Sequence, residues 1–164
     1  MSLKEDFKSV KNNNKWKSKS RIIGRAAELY CLKNIKCPNC SENTLWKECK
    51  VNQKSKDQIC STCNKSYQIK CKKVSDNNYS KIINTNKFQT LGAEYKTTLN
   101  SINDNIDYLI LLYNNQLHIL NILYISSDNF NESNIIPRKP LSDNARRAGW
   151  QGCYLHFDNF ICLL

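Results

Sequence analysis

Cys37-Pro-Asn-Cys40 is followed, after 19 intervening residues, by Cys60-Ser-Thr-Cys63. Two residues between a pair of thiolates let both turn inward on one ion. Two such pairs make a closed tetrahedral four-thiolate set suited to zinc. This spacing constrains the chain more than any other feature, because it ties residues 37–63 around a single point. The set has no open position, so it is expected to staple a small zinc ribbon rather than to catalyse. A redox role is disfavoured, since one pair would suffice for it. The chain has nine cysteines, an odd number, and Met1-Ser-Leu-Lys-Glu-Asp-Phe-Lys8 has no apolar core of an export signal. A full disulfide framework is therefore not expected. Cys31, Cys49, Cys71, Cys153 and Cys162 read as small packing residues.

The 164 residues, 40% of them hydrophobic, suit one domain with a real core. The longest apolar run, Tyr108 to Tyr113, is far short of the ~18 residues that cross a bilayer. A soluble cytoplasmic protein is the expectation. The net charge of +11 favours a polyanionic partner, most often nucleic acid. The bland reading stands beside it: 20 Lys and 23 Asn also suit an AT-rich genome.

Residues 1–19 are Lys- and Asn-rich, with Phe7 and Trp16 as large side chains, and read as a polar N-terminal arm, either mobile or a loosely docked first segment. Ser20 is placed as the cap of a helix over about 20–33, in which Ile22, Ile23, Ala26, Ala27, Tyr30 and Cys31 recur at helical spacing. A strand is expected at 66–73, then a loop over 74–88 around Asn77-Asn78. Phe88, Leu91, Tyr95 and Leu99 suggest a helix over 88–103. Residues 107–113 read as a buried strand, with a tight turn at Asn114-Asn115, a return strand over 116–126 and a last strand near 153–157. The order is that of an α+β fold.

Positions 57 and 68 are equidistant from 62.5, the centre of the second cysteine pair. A symmetric hairpin sets Asp57 opposite Gln68, with Lys70 on the same face as Gln68. One carboxylate, one amide oxygen and one ammonium then share a surface. Such a set can hold a divalent ion and steer a water onto a phosphate. An ordinary solvated Asp and Lys on a polar sheet face has the same pattern.

Asp57 with Gln68-Ile69-Lys70, after a helix, resembles the PD-(D/E)xK nuclease signature. The embedded Cys37–Cys63 ribbon and the block Ile135-Ile136-Pro137-Arg138-Lys139-Pro140-Leu141, running into Ala145-Arg146-Arg147-Ala148-Gly149-Trp150-Gln151-Gly152-Cys153, narrow this. Together they resemble the DpnI-type methyl-directed type II restriction endonucleases, over roughly residues 20–157. The resemblance implies a mixed central sheet flanked by helices, with the zinc ribbon at the catalytic hairpin. It implies Mg²⁺-dependent hydrolysis of double-stranded DNA at a short site bearing N6-methyladenine, GATC methylated on both strands. Asp57, Gln68 and the carbonyl of Ile69 would hold Mg²⁺, and Lys70 would orient or deprotonate the attacking water. Arg138, Lys139, Arg146, Arg147 and Trp150 fall in the DNA-facing block, and Glu28 is where the superfamily often adds an acidic residue.

Two departures stand out. The family has Glu where this chain has Gln68, and an amide oxygen brings no charge to the metal. The family also carries a C-terminal winged-helix domain, for which residues 20–164 offer no counterpart. The expectation is a monomeric bacterial enzyme with structural Zn²⁺ and catalytic Mg²⁺. The alternatives are a non-catalytic zinc-ribbon DNA-binding module and a nuclease of other specificity.

Overall fold

A computed structural model describes residues 1–164 apart from 14, 16, 43–46 and 50–55; Trp16 lies outside the described residues. The architecture is α+β. A six-stranded mixed sheet runs in the order β1 (Lys47–Glu48), β2 (Gln58–Ile59), β3 (Ser66–Lys73), β5 (Ile106–Tyr113), β6 (Ile119–Ile125), β9 (Ile161–Cys162). A three-stranded sheet runs β4 (Lys87–Glu94), β8 (Gly152–Asp158), β7 (Ile135–Pro137). The pairing of β3 with β5 is parallel, and its neighbours pair antiparallel.

Every residue of β5 is buried. That is what a continuous apolar run requires when both faces of its sheet are covered. Its two faces feed two cores. Leu109 and Leu111 join Tyr67, Ile69 and the apolar side of helix α2 (Lys19–Asn34). Tyr108, Ile110 and Leu112 join Phe88, Leu155 and Phe157 of the smaller sheet. Tyr108, Phe130 and Phe157 meet there with ring centroids 5.1 to 5.3 Å apart, tilted as aromatic quadrupoles prefer.

The N-terminal segment is no free arm. Residues Lys4–Asn12 form helix α1, with Leu3 fully buried and Val10 buried. Leu3, Phe7 and Val10 fall at helical spacing within an otherwise polar run, and this stripe docks on the α2 core. The Lys33 ammonium donates to buried Asp6 at 2.6 Å, and the Leu3 N–H donates to the Leu117 carbonyl at 2.9 Å. Helix α2 begins one turn's edge earlier than expected: Ser18, not Ser20, is the cap, its hydroxyl accepting from the Arg21 N–H.

Three local readings differ from the sequence expectation. Residues Asp76–Thr85 form helix α3 rather than a loop, with Tyr79, Ile82 and Ile83 packed against the second core. It closes at Asn86, whose left-handed backbone (φ 51°) serves as a C-terminal cap. The expected helix over 88–103 is a strand, β4, and then a short helix α4 (Tyr95–Asn100). Pairing with β8 turns Phe88 and Thr90 inward at a period of two, which overrides the weaker 3.6 pattern. The turn after β5 is wider than Asn114-Asn115. Leu117 carries the positive φ (62°), and the Asn114 side chain accepts from the N–H groups of Gln116 and His118.

Candidate functional site

The Sγ atoms of Cys37, Cys40, Cys60 and Cys63 all lie within 4.8 Å of one another. Cys37 and Cys63 are 3.6 Å apart, Cys40 and Cys60 3.8 Å. A tetrahedron with metal–sulfur bonds of 2.3 Å has edges of about 3.8 Å. These four cysteines therefore could hold a metal such as zinc with little rearrangement. The Tyr67 hydroxyl lies 3.0 Å from Cys37 Sγ, within reach to donate to a thiolate, the outer contact that steadies a metal ligand. Tyr67 is fully buried, so this contact also fixes β3 against the cluster.

The second cysteine pair forms the turn between β2 and β3. The Cys60 N–H donates to the Lys65 carbonyl at 2.9 Å, and Asn64 takes a positive φ of 57°. Behind the turn, Lys65 reaches Asp107 at 3.0 Å. Asp107 is fully buried and accepts further bonds from the Tyr124 hydroxyl at 2.9 Å and the Ser127 N–H at 2.7 Å. A buried carboxylate with three donors is satisfied, and this one anchors the cysteine turn to β5.

Gln58 pairs with Tyr67 and Ile59 with Ser66. The ladder stops there, one step short of the Asp57–Gln68 pair that a symmetric hairpin predicts. The Asp57 N–H donates to the Tyr67 carbonyl at 2.9 Å. The ladder then gives way to a side chain: Asp57 Oδ2 accepts from the Ile69 N–H at 2.7 Å. The N–H and C=O of one strand residue leave the same edge, so the Ile69 carbonyl emerges on the Asp57 edge as well. Gln68 and Lys70 are half-buried and share the opposite face of β3 from Tyr67 and Ile69.

Burial pushes the Asp57 carboxyl above its ordinary range, against the Ile69 N–H and the charges of Lys70 and Arg25. Burial also pushes the Lys70 ammonium down, against the charge of Asp57. Opposite groups near one another, each shifted by burial, mark a candidate site. Glu28 of α2 is part of it. Its carboxyl is raised by burial and, against the opposing Arg25, by the charges of Asp57 and Glu48.

Arg25 and Glu48 are members that the sequence reading missed. Arg25 donates to Glu28 at 2.8 Å and to Glu48 at 2.6 Å, so one guanidinium spans two carboxylates beside Asp57. The Arg25–Glu28 pair is readable as an i,i+3 contact on a helix. Nothing in the sequence announces Glu48, which reaches the site through the β1–β2 pairing.

Arg138, Lys139, Arg146, Arg147 and Trp150 lie on the excursion between β7 and β8, away from the Asp57 edge along the chain. All four cations are exposed. Arg138 stacks over the Tyr154 ring at 5.3 Å, and Arg147 over Trp150 at 4.4 Å. The far edge of the Trp150 ring lies against Gly152: a Cβ there would meet the indole at 2.9 Å. The half-buried indole thus packs within its own loop, against Arg147 and Gly152. Gly149, at φ +73°, provides the left-handed turn before it. Cys153, where β8 leaves the loop, is fully buried in the second core. No described helix is long and apolar enough to cross a membrane.

The sequence profile of one protein family, described as DpnI: Dam-replacing family, matches residues 2–160.

Proposed function

The chain belongs to the DpnI, or Dam-replacing, family, and from that premise we propose that it is a methyl-directed endonuclease cutting double-stranded DNA at a short site containing N6-methyladenine. The family match supports a restriction-related, DNA-directed role. The step to cleavage rests on one observation: Asp57 caps the Ile69 N–H at the edge where Lys70 emerges one residue later.

The donor set fits a hard divalent ion. The Asp57 carboxylate has one oxygen on Ile69, and its Oδ1 meets no hydrogen-bond donor among the described residues. Asp57, the Gln68 amide oxygen and the Ile69 carbonyl would hold Mg²⁺, all oxygen donors as that ion prefers. When bound, Mg²⁺ supplies polarisation of the scissile phosphate. Lys70 orients the attacking water and stabilises phosphate charge. Its lowered pKa brings it closer to proton exchange with that water near neutral pH. Glu28 raises the negative charge of the recess. Gln68 in place of a carboxylate weakens the hold on the ion without changing the ligand's shape.

Zn²⁺ on Cys37, Cys40, Cys60 and Cys63 would fix the β2–β3 turn and hence the Asp57–Ile69 pairing. Specificity for GATC follows from the family resemblance alone. Burial of one methyl stabilises by only ~1 kcal/mol, so strong discrimination needs methyls on both strands. The test is digestion of adenine-methylated and unmethylated plasmid with Mg²⁺, by the wild type and by Asp57→Ala. Methyl-dependent cutting lost in Asp57→Ala is expected. Cutting that survives Asp57→Ala overturns the site, and duplex binding without cutting under any divalent metal leaves a non-catalytic DNA-binding module.

A further inference from the structure

A cavity of about 520 Å³ opens beyond the C-terminal end of β3, between α3 and the ends of β4 and β8. Lys72, Lys73, Lys81 and Lys87 line it, from three separate elements. Asp158 is the single acidic residue of the lining. The apolar part of the lining is Val74, Ile82 and Phe88, all packed in the second core. No part of the site described above accounts for this convergence. Four like charges drawn to one concavity repel one another, and a polyanion relieves that.

The cavity lies in line with the candidate active site. Lys72 shares the strand face of Lys70, two residues on, roughly 6.6 Å away at the rise of a strand. Lys70 has Cys153 of β8 beside it, and the cavity has His156 and Asp158 of the same strand. Strands β3 and β8 thus carry residues of both the candidate site's surroundings and the cavity. A DNA strand carries one phosphate per ~3.4 Å of axis. A strand with its scissile phosphate at Lys70 brings a following phosphate toward Lys72, on the same strand face.

We propose that this cavity holds the sugar–phosphate backbone of DNA flanking the cleavage point, with phosphates on Lys72, Lys73, Lys81 and Lys87 and deoxyribose carbons on the apolar floor. A bare inorganic anion would use the lysines but not the floor. The chemistry is independent of base sequence, so the cavity contributes affinity and register along the duplex, not methyl discrimination. The proposal rests on the DNA-directed reading above and adds a contact surface separate from the Arg138–Trp150 loop.

The experiment is salt-dependent duplex binding by fluorescence anisotropy, without added Mg²⁺. Lys81→Ala/Lys87→Ala is compared with wild type and with Lys4→Ala/Lys11→Ala, which removes equal charge from exposed positions of α1. The cavity variant is expected to lose roughly 50-fold in affinity near 0.1 M salt and to lower the log–log salt slope by about 1.8, the value for two phosphate contacts. The α1 variant is expected to leave the slope unchanged. An unchanged slope in the cavity variant, an equal fall in both variants, or no duplex binding by the wild type each overturns the proposal. Plasmid cleavage is scored in parallel. A protein that shows the expected slopes but cuts nothing retains the cavity assignment and loses the nuclease reading.

Discussion

Asp57 Oδ2 takes the Ile69 N–H at 2.7 Å, in the place a backbone carbonyl would occupy in an unbroken ladder. A side chain thus ends the β2–β3 pairing, and ends it at the residue before Lys70. The carboxylate is held by backbone geometry, so its position is set by strand register rather than by rotamer choice.

The Asp57 charge should cost the fold stability. Burial raises its pKa, so the folded chain binds this proton more tightly than the unfolded chain does. The cost is absent below the ordinary aspartate range. It grows as pH rises through that range and is complete above the raised folded value. Asp57→Asn retains an acceptor for the Ile69 N–H and removes the charge. Without added Mg²⁺ it is expected to melt higher than wild type at pH 7, with the gap closing on acidification toward pH 4. Thermal melts at several pH values check this, and a gap that widens on acidification reverses the assignment. Zinc loss at low pH affects both proteins and cancels in the difference.

Restoring a carboxylate at position 68 should strengthen metal binding. Gln68→Glu keeps the shape and adds one negative charge beside Asp57. A charge-assisted contact is favourable by about 1.5 kcal/mol over a neutral one, so the Mg²⁺ concentration for half-maximal cleavage should fall by roughly tenfold. Mn²⁺ binding followed by electron paramagnetic resonance gives a readout apart from cleavage. Equal affinity in the two proteins would remove Gln68 from the ligand set.

One zinc ion per chain is expected in protein purified without chelator. Cys60→Ser should lose the metal and most of the folded population, because the four-thiolate sphere is then incomplete. Tyr67→Phe deletes the 3.0 Å contact to Cys37 Sγ and leaves all four ligands in place. It should still fold and bind zinc, but release it to a competing chelator ten- to a hundredfold more readily. Elemental analysis and chelator competition read both outcomes.

Lys65→Ala should destabilise by about 3 kcal/mol, since it leaves the fully buried Asp107 without its counter-charge. The bonds from Tyr124 and Ser127 remain and keep the loss at the lower end of the range for broken buried pairs. Urea denaturation measures it. A loss under 1 kcal/mol would mean that those two bonds alone satisfy Asp107.

The elements set by local chemistry were legible in the sequence. Cysteine spacing located the cluster of Cys37, Cys40, Cys60 and Cys63, and hairpin symmetry gave the antiparallel pairing of β2 with β3 about the second cysteine pair. The unbroken run of β5 declared a strand buried on both faces. What failed depended on partners distant in the chain. Leu91 and Phe88 look helical until β8 is laid beside them. Leu3 and Phe7 look like strays in a polar arm until α2 offers a surface. Tyr79 and Ile82 carried a helical signal that the Asn77-Asn78 pair outweighed. Arg25 and Glu48 are 23 residues apart and meet only because β1 folds back on β2.

The hairpin that carries Asp57 rests on two residue pairs between β2 and β3, Gln58 with Tyr67 and Ile59 with Ser66. Two pairs do not sustain a hairpin in water, and a slip of one residue would turn every side chain of the strand to the opposite face. The cysteine turn is what reduces those registers to one. An ion on the four cysteines would therefore act on Asp57 from a distance: losing it would loosen the turn first and the carboxylate's placement with it, without anything having touched the carboxylate itself.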